Sequence, residues 1–182
     1  MKDNFDLSPL KVKKRKNSKQ KGNTFERKVC DTLNERFGKD LFHRTPGSGA
    51  FATTHKLPDH LLLEGDIMVP LNFKFCIECK KGYNTEGLAT FFKEKSLVKG
   101  FLEKLEKQAR SIEKLPLLII GQDRQPTLAI TPRLLELESL NDVGLNEVGH
   151  LSLVVPPLYY VYTMLTLTDF LQLDTNYFYT TK

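Results

Sequence analysis

The chain has 182 residues, 40% of them hydrophobic and 12 of them Phe, enough for one compact domain with a real core and too few for a second full domain. A formal net charge of +5 and a pI near 9.0 favour a polyanionic partner. The three Cys lack framework spacing, which points to reduced thiols and an intracellular setting; no apolar run approaches a membrane span, and the N-terminus does not read as a signal peptide.

Residues 1–21 read as a basic, flexible arm, with seven Lys or Arg and no acid between Lys11 and Lys21. Lys13, Lys14, Arg15 and Lys16 are candidate phosphate contacts, each adding salt-sensitive, sequence-independent affinity. A localisation signal is the other reading of such a run. Residues 22–182 then read as a single domain. A helix is expected over Asn23–Phe37, capped by Asn23 or Thr24 and closed by Gly38. Phe25, Val29, Leu33 and Phe37 recur at spacing four and turn one face to the core, with Cys30 beside them. Glu26 adjoins that stripe, either complementing the helix dipole or reaching a site.

Leu41–Arg44 reads as a short strand. Arg44-Thr-Pro-Gly-Ser-Gly49 lacks the ending of a complete phosphate loop and reads as a flexible loop whose hydroxyls and amides can meet a phosphate. Asp66–Val69 reads as a strand, Pro70–Asn72 as a turn and Phe73–Lys80 as the returning strand. Alternation in the last puts Phe73, Phe75, Ile77 and Cys79 on one face, and Lys74, Cys76, Glu78 and Lys80 on the other. Residues 88–113 read as mostly helical, with Leu97, Phe101, Leu105, Gln108 and Ile112 as the stripe and Pro116 as the stop. Leu117–Ile120 is a continuously apolar strand of a covered sheet, and Thr127–Ile130 a further strand. A short helix over 133–140, a loop over 141–150, a strand over 158–167 and a short helix near Asp169–Leu173 complete an α-β-β-β-α-β-β-α order, a mixed α/β fold.

A carboxylate and an ammonium on an otherwise apolar strand need a reason. Cys76-x-x-Cys79 invites a zinc or redox reading, but no second ligand pair follows. Phosphodiester hydrolysis offers a better one: hard oxygens of Asp66 and Glu78 suit Mg²⁺, the Cys79 carbonyl lies between Glu78 and Lys80, and Lys80 can orient a water and offset developing charge. Glu26 can reach the same cluster. Taken singly, Asp66 is also a common turn residue, and Glu78 with Lys80 also a plain ion pair. Pro58-Asp59 supplies a rival Asp, but only Asp66 leads into a strand that returns to Glu78.

These residues resemble the PD-(D/E)xK nuclease superfamily. Gly22-x-x-Phe25-Glu26-Arg27, Arg44-x-x-Gly47-Ser48-Gly49, Gly65-Asp66-Ile67 and Ile77-Glu78-Cys79-Lys80 are together similar to archaeal-type Holliday junction resolvases and their phage relatives, over roughly residues 21–120. The resemblance implies a restriction-endonuclease-like α/β fold, a mixed central sheet flanked by helices. It implies Mg²⁺-dependent cleavage of DNA, with Mn²⁺ able to substitute, by a homodimer acting on four-way junctions in recombination and repair. It makes Asp66 and Glu78 metal ligands with the Cys79 carbonyl, Lys80 the residue positioning the attacking water, Glu26 an accessory ligand, Ser48 a loop serine near the scissile phosphate, Arg44 a phosphate contact and Gln108 a looser substrate contact. The alternatives are another nuclease of this superfamily acting on duplex or single-stranded DNA, or a non-catalytic DNA-binding module.

Overall fold

The computed structural model describes residues 17–46, 61–62, 64–84, 96–132, 149–155 and 158–180. Helix α1 (Ser18–Phe37) opens earlier than the apolar stripe suggests. Asn17 is its cap, accepting from the Gln20 N–H at 3.1 Å, whereas Asn23 and Thr24 lie inside the helix. The Thr24 hydroxyl donates back to the Gln20 carbonyl at 2.8 Å, as a mid-helix threonine does. Lys19 and Lys21, read as part of the arm, therefore sit on the first turns of α1. Lys and Gln favour helix without contributing an apolar face, so the early start leaves no periodic signal. The expected stripe is otherwise borne out, with Phe25, Val29, Cys30 and Leu33 buried and Gly38 at the C-terminal cap.

The strands are β1 (His43–Arg44), β2 (Leu61–Leu62), β3 (Ile67–Pro70), β4 (Phe75–Lys81), β5 (Leu115–Gly121), β6 (Leu128–Pro132), β7 (Gly149–Val155) and β8 (Leu158–Thr166). Helix α2 (Leu97–Ser111) precedes β5, and α3 (Leu167–Phe170) and α4 (Thr175–Phe178) follow β8. The eight-stranded sheet runs β1-β3-β4-β5-β6-β8-β7, with β2 beside β3. Only β4 and β5 pair in parallel, which requires a crossover, and α2 lies on it; the other described pairs are antiparallel. The sheet is mixed and flanked by helices, the restriction-endonuclease-like α/β arrangement expected.

Strand alternation divides the core in two. Phe73, Phe75, Ile77 and Cys79 join Leu117, Ile119 and Ala129 beneath α1, while Cys76, Leu118, Ile120 and Ile130 meet α2 on the other face. The described residues beyond 125 supply β6, β7 and β8 and a closing aromatic layer. Phe178 of α4 packs against Phe37, Phe73 and Phe170, with ring centroids 4.7, 6.2 and 5.1 Å apart. Each such pair adds about 0.5–1.5 kcal/mol beyond its area. Arg36 of α1 donates from Nε to the Leu171 carbonyl at 2.8 Å, tying helix to terminus.

Several expectations need correction. Of the expected α2 stripe Leu105 is buried and Phe101 and Ile112 pack against the core, but Leu97 is 49% exposed, and the buried face is Val98, Leu102, Leu105, Glu106 and Ala109. Both rows are apolar enough to pass as a stripe. Glu106 is tolerated inside because Arg110 donates to it at 2.9 Å and the Tyr162 hydroxyl at 3.0 Å. Pro116 does not stop the helix, which ends before Ile112; it lies in β5 opposite Cys76, near the strand start where a missing N–H is tolerated. Strand β7 (Gly149–Val155) begins inside the loop expected over 141–150, and the terminal helix is two short ones. The helix expected over 133–140 lies outside the described residues.

Cys76 and Cys79, three apart on a strand, point into opposite cores and cannot share a metal, which disposes of the zinc reading. Burial, first among the causes, pushes the Cys30 and Cys76 thiols up to about 12 and Cys79 well above its ordinary value. Raised values mean less thiolate at a given pH. Native protein treated with iodoacetamide at pH 8 should therefore label at under about 1% of the rate of the unfolded chain, faster as pH rises, with all three thiols reacting after denaturation. Mass spectrometry showing rapid native labelling at any of them would contradict this burial.

Candidate active site

Asp66 is placed by a glycine. Gly65 adopts φ +84°, and a Cβ there would stand 2.4 Å from the Ile77 carbonyl oxygen. That close approach lets the Asp66 N–H donate to the same oxygen at 2.8 Å, in register with the Ile67–Ile77 pair. The Asp66 carboxylate then accepts from the Cys79 N–H at 2.8 Å. It is thus fixed to the backbone between Glu78 and Lys80, by a charge-assisted hydrogen bond of the stronger kind.

Glu78 and Lys80 leave β4 on the α2 face, two residues apart, and form an ion pair in which each side chain is 23% exposed. Burial pushes the Glu78 carboxyl above the usual glutamate range; the Lys80 hydrogen bond opposes the rise and the adjacent Asp66 charge adds to it. Burial acts to lower the Lys80 pKa, but the hydrogen bond to Glu78 and the Glu78 and Asp66 charges outweigh it, so the group is held above its ordinary value as an ammonium. Its Nζ lies 5.4 Å from the centroid of Phe101, whose ring meets Tyr83 edge-on at 5.3 Å. Phe101 thus supports the lysine; in the sequence it looked like one more core position.

Glu26 and Arg44 form a neighbouring cluster. Arg44 of β1 pairs in register with Ile67, donates to Glu26 through Nε and reaches the Asn23 Oδ1 at 3.0 Å. The Thr45 N–H donates to the Asp66 carbonyl at 2.9 Å, binding this edge to the aspartate. Gln108 of α2 donates to Glu64 at 3.1 Å, just ahead of Gly65-Asp66. Glu64, Asn23, Tyr83 and Phe101 were not read as site residues from the sequence: Asn23 was read as a helix cap and Phe101 as a core position, Glu64 adjoins the Gly65-Asp66 motif, and Tyr83 gave no signal. Ser48, Lys13, Lys14, Arg15, Lys16 and the rival Asp59 lie outside the described residues.

Among the described residues no three His, Cys, Asp or Glu gather as a metal cluster. The donor set nevertheless fits a hard divalent cation. Two carboxylates face each other at partial burial, their mutual repulsion contributes to the raised Glu78 pKa, and such cations often take one or two carboxylates plus waters and substrate oxygens.

Residues 17–180 match the family described as "Phage putative PDDEXK endonuclease". This chain belongs to that PD-(D/E)xK endonuclease family. Protein D14 of Escherichia phage T5 is similar to it, 31% identical over a 113-residue alignment that covers 59% of this chain and 66% of D14, a little under two thirds of that relative. No solved structure matches. The family takes its description from endonuclease chemistry, and its superfamily generally uses divalent metals. No helix among the described residues is long and apolar enough to cross a membrane.

Proposed function

We propose that this endonuclease is Mg²⁺-dependent and cuts branched DNA, resolving four-way junctions as a homodimer. One observation carries the reading: Asp66, Glu78 and Lys80 converge on the β3–β4 edge, with the aspartate anchored on the Cys79 N–H. Asp66 and Glu78 would hold the cation. An extended residue directs its N–H and C=O to the same edge, so the Cys79 carbonyl leaves β4 on the Asp66 side and suits a third oxygen ligand. Bound there, Mg²⁺ would polarise the phosphate and lower the pKa of a coordinated water.

The chain's own groups do the rest. Lys80, an ammonium, donates to the attacking water and faces the charge that grows on phosphorus oxygens as the water oxygen bonds to phosphorus and the P–O bond to the leaving strand breaks. The attacking water gives its proton to bulk solvent and the leaving oxygen takes one from solvent, while Lys80 in its charged form orients that water rather than accepting the proton. Arg44, held by Glu26 and Asn23, presents the rest of its guanidinium to a phosphate, and Glu26 serves as its positioning partner and as an accessory acid near the metal. Gln108 and Ser48 are assigned substrate-side roles, and the basic arm with Lys13, Lys14, Arg15 and Lys16 adds non-specific phosphate contacts. In this reading the basic residues ahead of α1 act as an arm on a single nuclease domain.

Junction selectivity rests on the likeness of the four motifs, with duplex or single-strand cutting as the competing outcome. Purified protein with Mg²⁺ should nick a synthetic four-way junction symmetrically and leave linear duplex largely uncut. Equal cutting of both would remove the resolvase assignment and keep the nuclease; no cutting with Mg²⁺ or Mn²⁺ would remove both.

A further inference from the structure

A cleft of about 460 Å³ lies between the first half of α1 and the β5–β6 turn, apart from the Asp66–Glu78–Lys80 cluster. Lys21, Thr24 and Lys28 line it from one face of α1, Lys81 from the end of β4, and Asp123 and Arg124 from the turn. Of the charged groups lining it, four are cations and one is an acid. Asp123 is already neutralised, with Lys81 Nζ at 2.8 Å from one carboxylate oxygen and Asn84 Nδ2 at 2.9 Å from the other. Lys21, Lys28 and Arg124 have no ion-pair partner among the described residues.

The wall carrying Arg124 is held rigidly. The Asp123 N–H donates to Asn84 Oδ1 at 2.9 Å, Gln122 Nε2 donates to the Tyr83 carbonyl at 2.8 Å, and the Gly82 N–H to the Gly121 carbonyl at 3.0 Å. Arg124 itself sits at φ +61°, a left-handed conformation that a non-glycine residue keeps only where its surroundings impose it. Helix α1 is pressed against this wall because Gly121 has no Cβ; one would stand 2.5 Å from the Phe25 ring. A concave, pre-formed site with three uncompensated cations suits a row of phosphodiesters, whose charges repeat along a strand. Lys21 and Lys28 occupy the flank of α1 facing the turn, whereas Asn23 and Glu26 meet Arg44 on the other side.

We infer that this cleft binds non-scissile backbone phosphates of the DNA, leading a strand past α1 towards the catalytic edge. The inference rests on the nuclease reading. It is tested by fluorescence anisotropy of a labelled DNA junction in EDTA across a KCl series, with Lys28→Gln combined with Arg124→Asn. Both residues are exposed, and Asn tolerates left-handed backbone, so thermal melting should show an intact fold. The slope of log affinity against log salt should shrink by about 1–2, at roughly 0.9 for each phosphate no longer neutralised. Lys28→Glu alone should weaken binding more than Lys28→Gln at every salt concentration. The same charge removed from the outer face of α2, Lys104→Gln with Lys107→Gln, should leave the slope within error. An unchanged slope in the cleft variant, or an equal change in the α2 control, overturns the cleft assignment while leaving the nuclease intact; an acidic protein occupant would produce the first of these. A wild-type chain that binds no DNA overturns both readings.

Discussion

Asp66→Asn and Lys80→Ala should each reduce the single-turnover cleavage rate by about 10²–10³ or more, the loss usual when one charge-stabilising group is removed, while DNA affinity stays within a few-fold. The two substitutions fail for different reasons, and each has its own signature. The amide oxygen introduced by Asp66→Asn can still accept from the Cys79 N–H, so the strand edge keeps its shape and only the negative charge disappears. Asp66→Asn should therefore melt like wild type but need more Mg²⁺ for its residual activity. In Lys80→Ala the carboxylate of Glu78 loses the hydrogen bond that opposes its raised pKa. The sign follows: without the ammonium the Glu78 pKa moves further up, and a metal ligand must be ionised. The acid limb of the pH–rate profile should shift to higher pH in Lys80→Ala, and activity should be lost sooner as pH falls. Either variant cutting within about threefold of wild type, or a Lys80→Ala acid limb that does not move, would break the assignment of these roles.

How far the site could be read in advance depended on whether chemistry left a local trace. Glu78 and Lys80 stood out because a polar pair on an apolar strand is costly, and strand alternation alone assigned their shared face. Asp66 could be preferred to Asp59 because a strand followed it. Arg44 and Glu26 were both marked, but their direct pairing was not, because it depends on where α1 crosses β1 and β3. The row of α2 that faces the sheet was misjudged for a related reason. Two neighbouring rows of that helix are apolar, and only the sheet shows that Phe101 sits beside Lys80 while Val98, Leu102 and Ala109 fill the core. The cleft between α1 and the β5–β6 turn was illegible for a further reason. Lys21, Lys28, Lys81 and Arg124 belong to three separate elements, and Lys21 was counted with a tail. Likewise Phe170, Tyr177 and Phe178 look ordinary in sequence until α3 and α4 bring them onto Phe73 and Phe75.

Gly65→Ala should cost about 2–5 kcal/mol of stability and, in the molecules that still fold, most of the cleavage activity. The residue sits at φ +84°, which an L side chain adopts with strain, and its added Cβ would meet the Ile77 carbonyl oxygen at 2.4 Å and both Ile77 C and Cys76 Sγ at 3.2 Å. That oxygen cannot move aside freely, because it accepts from the Asp66 N–H at 2.8 Å. Relieving the clash means pushing β3 away from β4 at the point where the Asp66 carboxylate reaches the Cys79 N–H. A displacement of about 1 Å at a reacting centre is enough to lose about 10²-fold in rate. Gly82→Ala separates the two contributions. Gly82 also has positive φ, +107°, but nothing lies within 4 Å of the place an added Cβ would take, so only the backbone strain applies, about 1–2 kcal/mol. Urea unfolding of the two variants should show the larger drop in midpoint for Gly65→Ala, with unchanged m-values. Equal losses would mean that left-handed backbone, and not the approach of β3 to β4, is what the glycine provides, and Asp66 would then owe its position to other contacts.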